Sequence, residues 1–100
     1  MISAFMITPD DTVAVVNREI KKGEEIEILK GSEIIKVTSN DDIPVYHKIA
    51  VVAVPKGGNV IKYNEFIGQA LEDIKVGDYV HLHNITDILF GAIDMTEHLI

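Results

Sequence analysis

The sequence predicts an all-β fold, and three observations carry that expectation. Apolar residues alternate with a period of two over several short stretches, and β-branched residues dominate those stretches. Gly, Asp, Asn and Pro turn signals separate them. Six or seven short strands in a chain of 100 residues imply a small barrel-like or sandwich-like module with only minor helical turns.

Taken in order, the strand-like stretches are residues 13–16, 26–29, 34–37, 49–54, 60–63 and 79–83. The turn signals between them include Lys30-Gly31, Asn40-Asp41-Asp42 and Lys56-Gly57-Gly58-Asn59. One pattern recurs: Ile20-Lys21-Lys22-Gly23-Glu24-Glu25-Ile26, Val54-Pro55-Lys56-Gly57-Gly58-Asn59-Val60 and Ile74-Lys75-Val76-Gly77-Asp78-Tyr79-Val80. Each has an apolar residue three before a Gly and another three after it. That spacing describes a surface turn whose Gly takes a positive φ, with an apolar anchor entering the core on either side. Ile67-Gly68 reads as a related tight turn, and a helical turn is expected over residues 65–72 or just before Gly23. In residues 85–100, Asp87 can cap a short helix with Ile88, Leu89, Ala92 and Ile93 on one face, or the segment can be an irregular strand. We therefore divide the chain into a domain at 1–86 and an apolar extension at 87–100 that packs on the domain or on a partner.

A single modest core is all that this length supports. The formal net charge of −7 argues against a nucleic-acid binder, which would show a basic face. No apolar run approaches the ~20 residues that span a bilayer, and the N-terminus lacks the pattern of a signal peptide. The lack of cysteine excludes disulfides and thiolate metal sites and fits a cytoplasmic location.

Chemistry concentrates in two runs that hold three of the four histidines, Pro44-Val45-Tyr46-His47-Lys48 and Val80-His81-Leu82-His83-Asn84. On a strand, residues two apart share a face, so His81 and His83 are expected side by side, roughly 6–7 Å apart. Two imidazoles at that spacing can grip a metal ion or an anion, but a divalent ion held by two alone is weakly bound. No Asp or Glu has a matching spacing, so the pair reads as half of a site, with His47, Asn84 or a carboxylate from elsewhere as the third group. Pro44 sets the start of the next strand, where His47 offers an acid or base and Lys48 a cation for a carboxylate. Lys62 is a further candidate anion contact. The plain alternative for each is a solvated strand end.

The ordered motifs Ile43-Pro44-x-x-His47-Lys48-Ile49-Ala50, Val60-Ile61-Lys62-Tyr63-x-x-x-Ile67-Gly68-x-Ala70 and Ile74-x-x-Gly77-x-x-Val80-His81-x-His83-Asn84 resemble a specific family. They are similar to the N-terminal SAF-type domain of altronate and galactarate dehydratases, the UxaA family of hydro-lyases. The resemblance covers roughly residues 10 to 86. It implies a small β-clip module, and dehydration of a hydroxylated carboxylic acid at a site shared with a large catalytic subunit. It also implies a divalent metal, iron or manganese, shared with that partner. By the resemblance His47 and Lys48 are catalytic, Lys62 and Asn84 bind the sugar-acid substrate, and His81 and His83 hold the metal. Split members such as sulfolactate sulfo-lyase keep this domain as a separate small subunit. Two positions depart from the family: Tyr46 and Asn64 stand where Gly is usual. The competing readings are a non-catalytic SAF-type binding or assembly module, and a homo-oligomeric scaffold built through the apolar tail.

Overall fold

The computed structural model describes residues 1–86, so the expectations for residues 87–100 lie outside the described residues. Among the described residues there are eight strands: β1 (Ile2–Met6), β2 (Val13–Val16), β3 (Glu25–Lys30), β4 (Glu33–Thr38), β5 (Lys48–Ala50), β6 (Asn59–Lys62), β7 (Glu65–Gln69) and β8 (Tyr79–Val80). Six form one sheet in the order β4-β3-β1-β2-β5-β8, and β6 and β7 form a separate ribbon. Only β1 and β3 run parallel; every other pairing is antiparallel.

The central strands are buried on both faces because two apolar clusters sandwich them. Ala14, Val16 and Ile49 belong to one cluster with Ala4, Met6, Ile26 and Ile28. Val13, Ala50 and Val80 belong to the other, which the ribbon covers with Val60 and Ile67. The alternation along β2 is therefore apolar on both faces, and in β5 only Lys48 interrupts it.

The repeated turn organises the whole module. Its first apolar residues pair with one another in isolated bridges, Ile20 with Ile43 and Val54 with Ile74. Each bridge is closed by two reciprocal N–H···O bonds of 2.7–2.9 Å. The residue three further on takes a positive φ in all four units: Gly23, Tyr46, Gly57 and Gly77, at 91°, 69°, 85° and 96°. Its N–H donates in each case to the carbonyl four residues before the bridge partner: Gly23 to Ser39, Tyr46 to Val16, Gly57 to Ala70 and Gly77 to Ala50. The three turns legible from their glycines are thus joined by a fourth, Ile43 to Ile49, whose glycine position is filled by Tyr46.

That substitution carries strain. A left-handed conformation costs a residue with a Cβ about 1–2 kcal/mol, part of which glycine returns through its freer unfolded chain. Tyr46 is 75% exposed and gains little by packing. Tyr46→Gly is expected to raise the melting temperature by a few degrees, about 0.5–1 kcal/mol at the midpoint. An unchanged or lower melting temperature would show that the exposed ring contributes to the fold.

Several expectations need correction. Residues 65–69 are strand β7, with Ile67-Gly68 inside it, where a helical turn and a tight turn were expected. The cause is the two-residue connection Tyr63-Asn64, with φ of 55° and 62°, which matches a type I′ hairpin turn and lays β7 back on β6. Strand β1 was not anticipated, because Ile-Ser-Ala-Phe-Met does not alternate cleanly. Strand β5 stops at Ala50, not at residue 54, since Val54 leaves the sheet to bridge Ile74. Strand β8 ends at Val80, and residues 81–84 form a turn in place of the expected extension to residue 83.

Buried Asp11 ties the ribbon to the sheet. It accepts hydrogen bonds from Ile7 and Thr8 N–H, the Thr8 hydroxyl and Asn64 N–H, at 2.6–3.1 Å. Burial works against its charge, but these donors outweigh it and hold its pKa below the usual carboxylate value.

Candidate functional site

The site is built where β5 begins and β8 ends. Lys48 pairs with Val80 and Ile49 with Tyr79 across these two strands. His47 and His81 lie one residue beyond that ladder on either side, and their ring centroids are 4.8 Å apart. The positive-φ turn at Tyr46 delivers His47, and the equivalent turn at Gly77 delivers Tyr79 and His81.

His81 and His83 each lie against the Tyr79 ring, carried by a turn and not by the strand that was expected. Asn84 Oδ1 accepts from His81 N–H at 3.0 Å, and the N–H groups of Asn84 and Ile85 donate to the His81 carbonyl. Asn84 Nδ2 donates to the Tyr79 carbonyl at 2.8 Å. Both ends of the buried Asn84 amide therefore close the turn that carries the histidines, and it acts on the site by positioning them.

Tyr79, which the sequence motifs did not single out, is the hub. Its hydroxyl lies 2.6 Å from His47 Nδ1. Its ring stacks on His81 with an interplanar angle of 7° at 5.8 Å, and sits 5.2 Å from His83. Burial raises the Tyr79 pKa, so the phenol keeps its proton at neutral pH. The missed signal was its place two residues before the first histidine, on a strand short enough to end at the site.

Electrostatics favour neutral groups here. Burial, reinforced by the charges of Lys48, His47 and His83, lowers the His81 pKa. His81 Nδ1 is buried, and among the described residues it has no hydrogen-bond partner. Lys48 is only 4% exposed, and burial followed by the nearby charge of Lys62 lowers its pKa to about 8. Its cross-strand partners Val15 and Val80 place its stem on the face of the second apolar cluster, opposite Tyr79. Among the described residues no carboxylate forms an ion pair with it.

Lys62 is half-buried and holds its ammonium 4.9 Å from the centre of the Tyr63 ring. The hollow beside it has a volume of about 90 Å³ and is lined by Lys62, Tyr63, Glu65, Phe66 and Ile67. Small-molecule sites usually enclose roughly 300 Å³ or more. Among the described residues no three His, Asp or Glu side chains gather to hold a metal ion. His81 has the properties of a neutral ligand, so the cluster fits part of a coordination shell and not a closed one.

Residues 2–87 match the family described as the altronate/galactarate dehydratase SAF domain. The chain belongs to this family. It is 36% identical to altronate dehydratase of Bacillus subtilis over 84 residues, which are 84% of this chain and 16% of that protein. Against altronate dehydratase of Escherichia coli it is 40% identical over 74 residues, 74% of this chain and 14% of that protein. A (2R)-sulfolactate sulfo-lyase subunit alpha of Chromohalobacter salexigens is 32% identical over 79 residues, 76% of this chain and 84% of that subunit. The chain thus spans about a sixth of the altronate dehydratases it matches and most of a sulfo-lyase alpha subunit. The all-β architecture is that of a small SAF-type module. Among the described residues no helix is long and apolar enough to cross a membrane.

Proposed function

We propose that this SAF domain is the small subunit, or N-terminal part, of a cytoplasmic hydro-lyase that dehydrates a hydroxylated carboxylic acid such as altronate or galactarate. One observation carries the reading: four rings, His47, Tyr79, His81 and His83, converge at a surface that encloses no substrate and, among the described residues, completes no metal shell. Such a half-site needs a second wall, and a large catalytic subunit of the same family supplies it.

In this reading His81 and His83 hold a divalent ion, iron or manganese, together with donors from the partner. When bound, that ion supplies Lewis-acid polarisation of the substrate's oxygens. Lys48, on the face opposite the rings and with its pKa near 8, has a neutral fraction at physiological pH and is suited to proton transfer where the partner completes that face. Lys62 adds positive charge for that carboxylate, and Asn84 keeps the histidine turn closed. A second reading, a sulfo-lyase alpha-type subunit acting on sulfolactate, is favoured by the fact that the chain covers 84% of one such subunit.

The test is to mix the purified chain with the large subunit encoded beside it and assay 2-keto acid formation from altronate and galactarate, with sulfite release from sulfolactate in parallel. Activity is expected only with both chains present, and His81→Ala is expected to lower it at least about 100-fold. Sulfite release alone would select the second reading. If no complex forms and no product appears, the hydro-lyase assignment is wrong and a non-catalytic binding or homo-oligomeric module takes its place.

A further inference from the structure

The tyrosine at the centre of the site has a consequence for how its nearest histidine meets a ligand. Tyr79 is held from its backbone: its N–H donates to Asp41 Oδ2 at 3.0 Å and its carbonyl accepts from Asn84 Nδ2 at 2.8 Å. The ring is fixed further by stacking on His81. Its hydroxyl lies 2.6 Å from His47 Nδ1.

A proton can lie in that bond in two ways. Either the phenol donates to a bare Nδ1, or an Nδ1–H donates to the phenol oxygen. A phenol is a much stronger acid than a neutral imidazole N–H, and an imidazole nitrogen is a much stronger base than a phenol oxygen. The stronger bond joins the better donor to the better acceptor, so the phenol donates. Neutral imidazole carries one proton, and with Nδ1 accepting, that proton sits on Nε2.

We propose that Tyr79 is a positioning residue that fixes His47 in its Nε2–H tautomer, so that His47 meets an incoming ligand as a hydrogen-bond donor and not as a base. The oxygens of an anionic hydroxy acid are the chemical class it suits, either a carboxylate or the hydroxyl that leaves. The pairing with a hydroxy acid rests on the hydro-lyase reading; the tautomer does not, and the chain alone can report it.

The experiment is long-range ¹H–¹⁵N correlation of the imidazole rings in the ¹⁵N-labelled full chain, at a pH well above the ordinary imidazole range. His47 is assigned by loss of its signals in His47→Gln. The wild-type chain is expected to show a protonated Nε2 and an unprotonated, hydrogen-bonded Nδ1. In Tyr79→Phe the Nδ1 signal should move to the shift of a free unprotonated nitrogen and the tautomers should mix. The amide spectrum of that variant should be otherwise preserved. Should it fail to fold, 3-fluorotyrosine incorporation replaces it. The more acidic phenol then displaces the Nδ1 signal further in the hydrogen-bonded direction.

A protonated Nδ1 in the wild-type chain overturns the proposal. So does a His47 signal that ignores both changes at Tyr79. A chain with the expected tautomer that supports no lyase activity with its large partner leaves the tautomer standing and removes the hydro-lyase reading instead.

Discussion

Gly77→Ala is expected to destabilise the domain by about 2–5 kcal/mol, on the order of 10 °C or more in melting temperature. Two costs add at this position. At φ 96° a side chain forces the backbone into a region that costs L-residues about 1–2 kcal/mol. A Cβ there would also lie 2.3 Å from the Thr38 carbonyl oxygen, at the end of β4, and 3.2 Å from Asn40 Nδ2. Neither neighbour is free to withdraw. The Gly77 carbonyl accepts from Asn40 N–H and its own N–H donates to Ala50, which anchors the turn on both sides. Gly23 and Gly57 take similar φ values but have nothing within 4 Å of an added Cβ. Gly23→Ala should therefore cost only the conformational part, about 1–2 kcal/mol. Equal losses in the two variants would show that the contact with Thr38 relaxes freely. Because Gly77 delivers Tyr79 and His81, its loss should also disturb the ring cluster, visible as changed imidazole signals in whatever fraction stays folded.

The turns were the most legible part of this fold, and the reason is physical. A positive φ leaves a glycine in the sequence, and the apolar anchors three residues away on either side mark its register. Where that mark is replaced, at Tyr46, the fourth turn disappears from a reading based on glycine, although Ile43 and Ile49 keep the spacing. The hairpin of β6 and β7 was half legible: Asn64 is a residue type that tolerates the left-handed region and marks the turn, but residues 65–69 do not read as its return strand. The gathering of His47, His81 and His83 was legible because strand ends gather their flanking residues, whereas Lys48 turns to the other face. Its geometry was not. Alternation alone continues the strand through residue 83, but Asn84 is a side chain that bonds backward to the backbone, and it curls residues 81–84 into a turn. Tyr79 was hidden in plain view, as an aromatic in a strand is ordinarily read as core. Its role became visible only when its hydroxyl was found against His47.

Lys48→Met should stabilise the domain at neutral pH while abolishing its contribution to lyase activity. The lysine is 4% exposed, no carboxylate among the described residues pairs with it, and the charge of Lys62 is close enough to disfavour its own. Its pKa falls from 10.5 to about 8 on folding. Between those values the unfolded chain binds more protons than the folded one, so the wild-type stability rises with pH through this window. Below pH 8 the penalty is fully present; above 10.5 both states hold a neutral amine and it is gone. Methionine fills nearly the same volume with an apolar stem and carries no such penalty. Each pKa unit is worth about 1.4 kcal/mol, and discounting for residual solvent contact leaves a gain of roughly 1–3 kcal/mol at pH 7. Denaturant melts of both chains at pH 7 and at pH 10.5 measure the difference directly. The gain should shrink towards zero at the higher pH. A methionine variant that is less stable at pH 7, or a difference independent of pH, would mean that the ammonium is well solvated or paired. A stabilising substitution that destroys activity is the signature of a group held against its own preference for the sake of chemistry. In the hydro-lyase reading, the buried amine at this position is a base that water alone would keep protonated, and the fold is weaker for it.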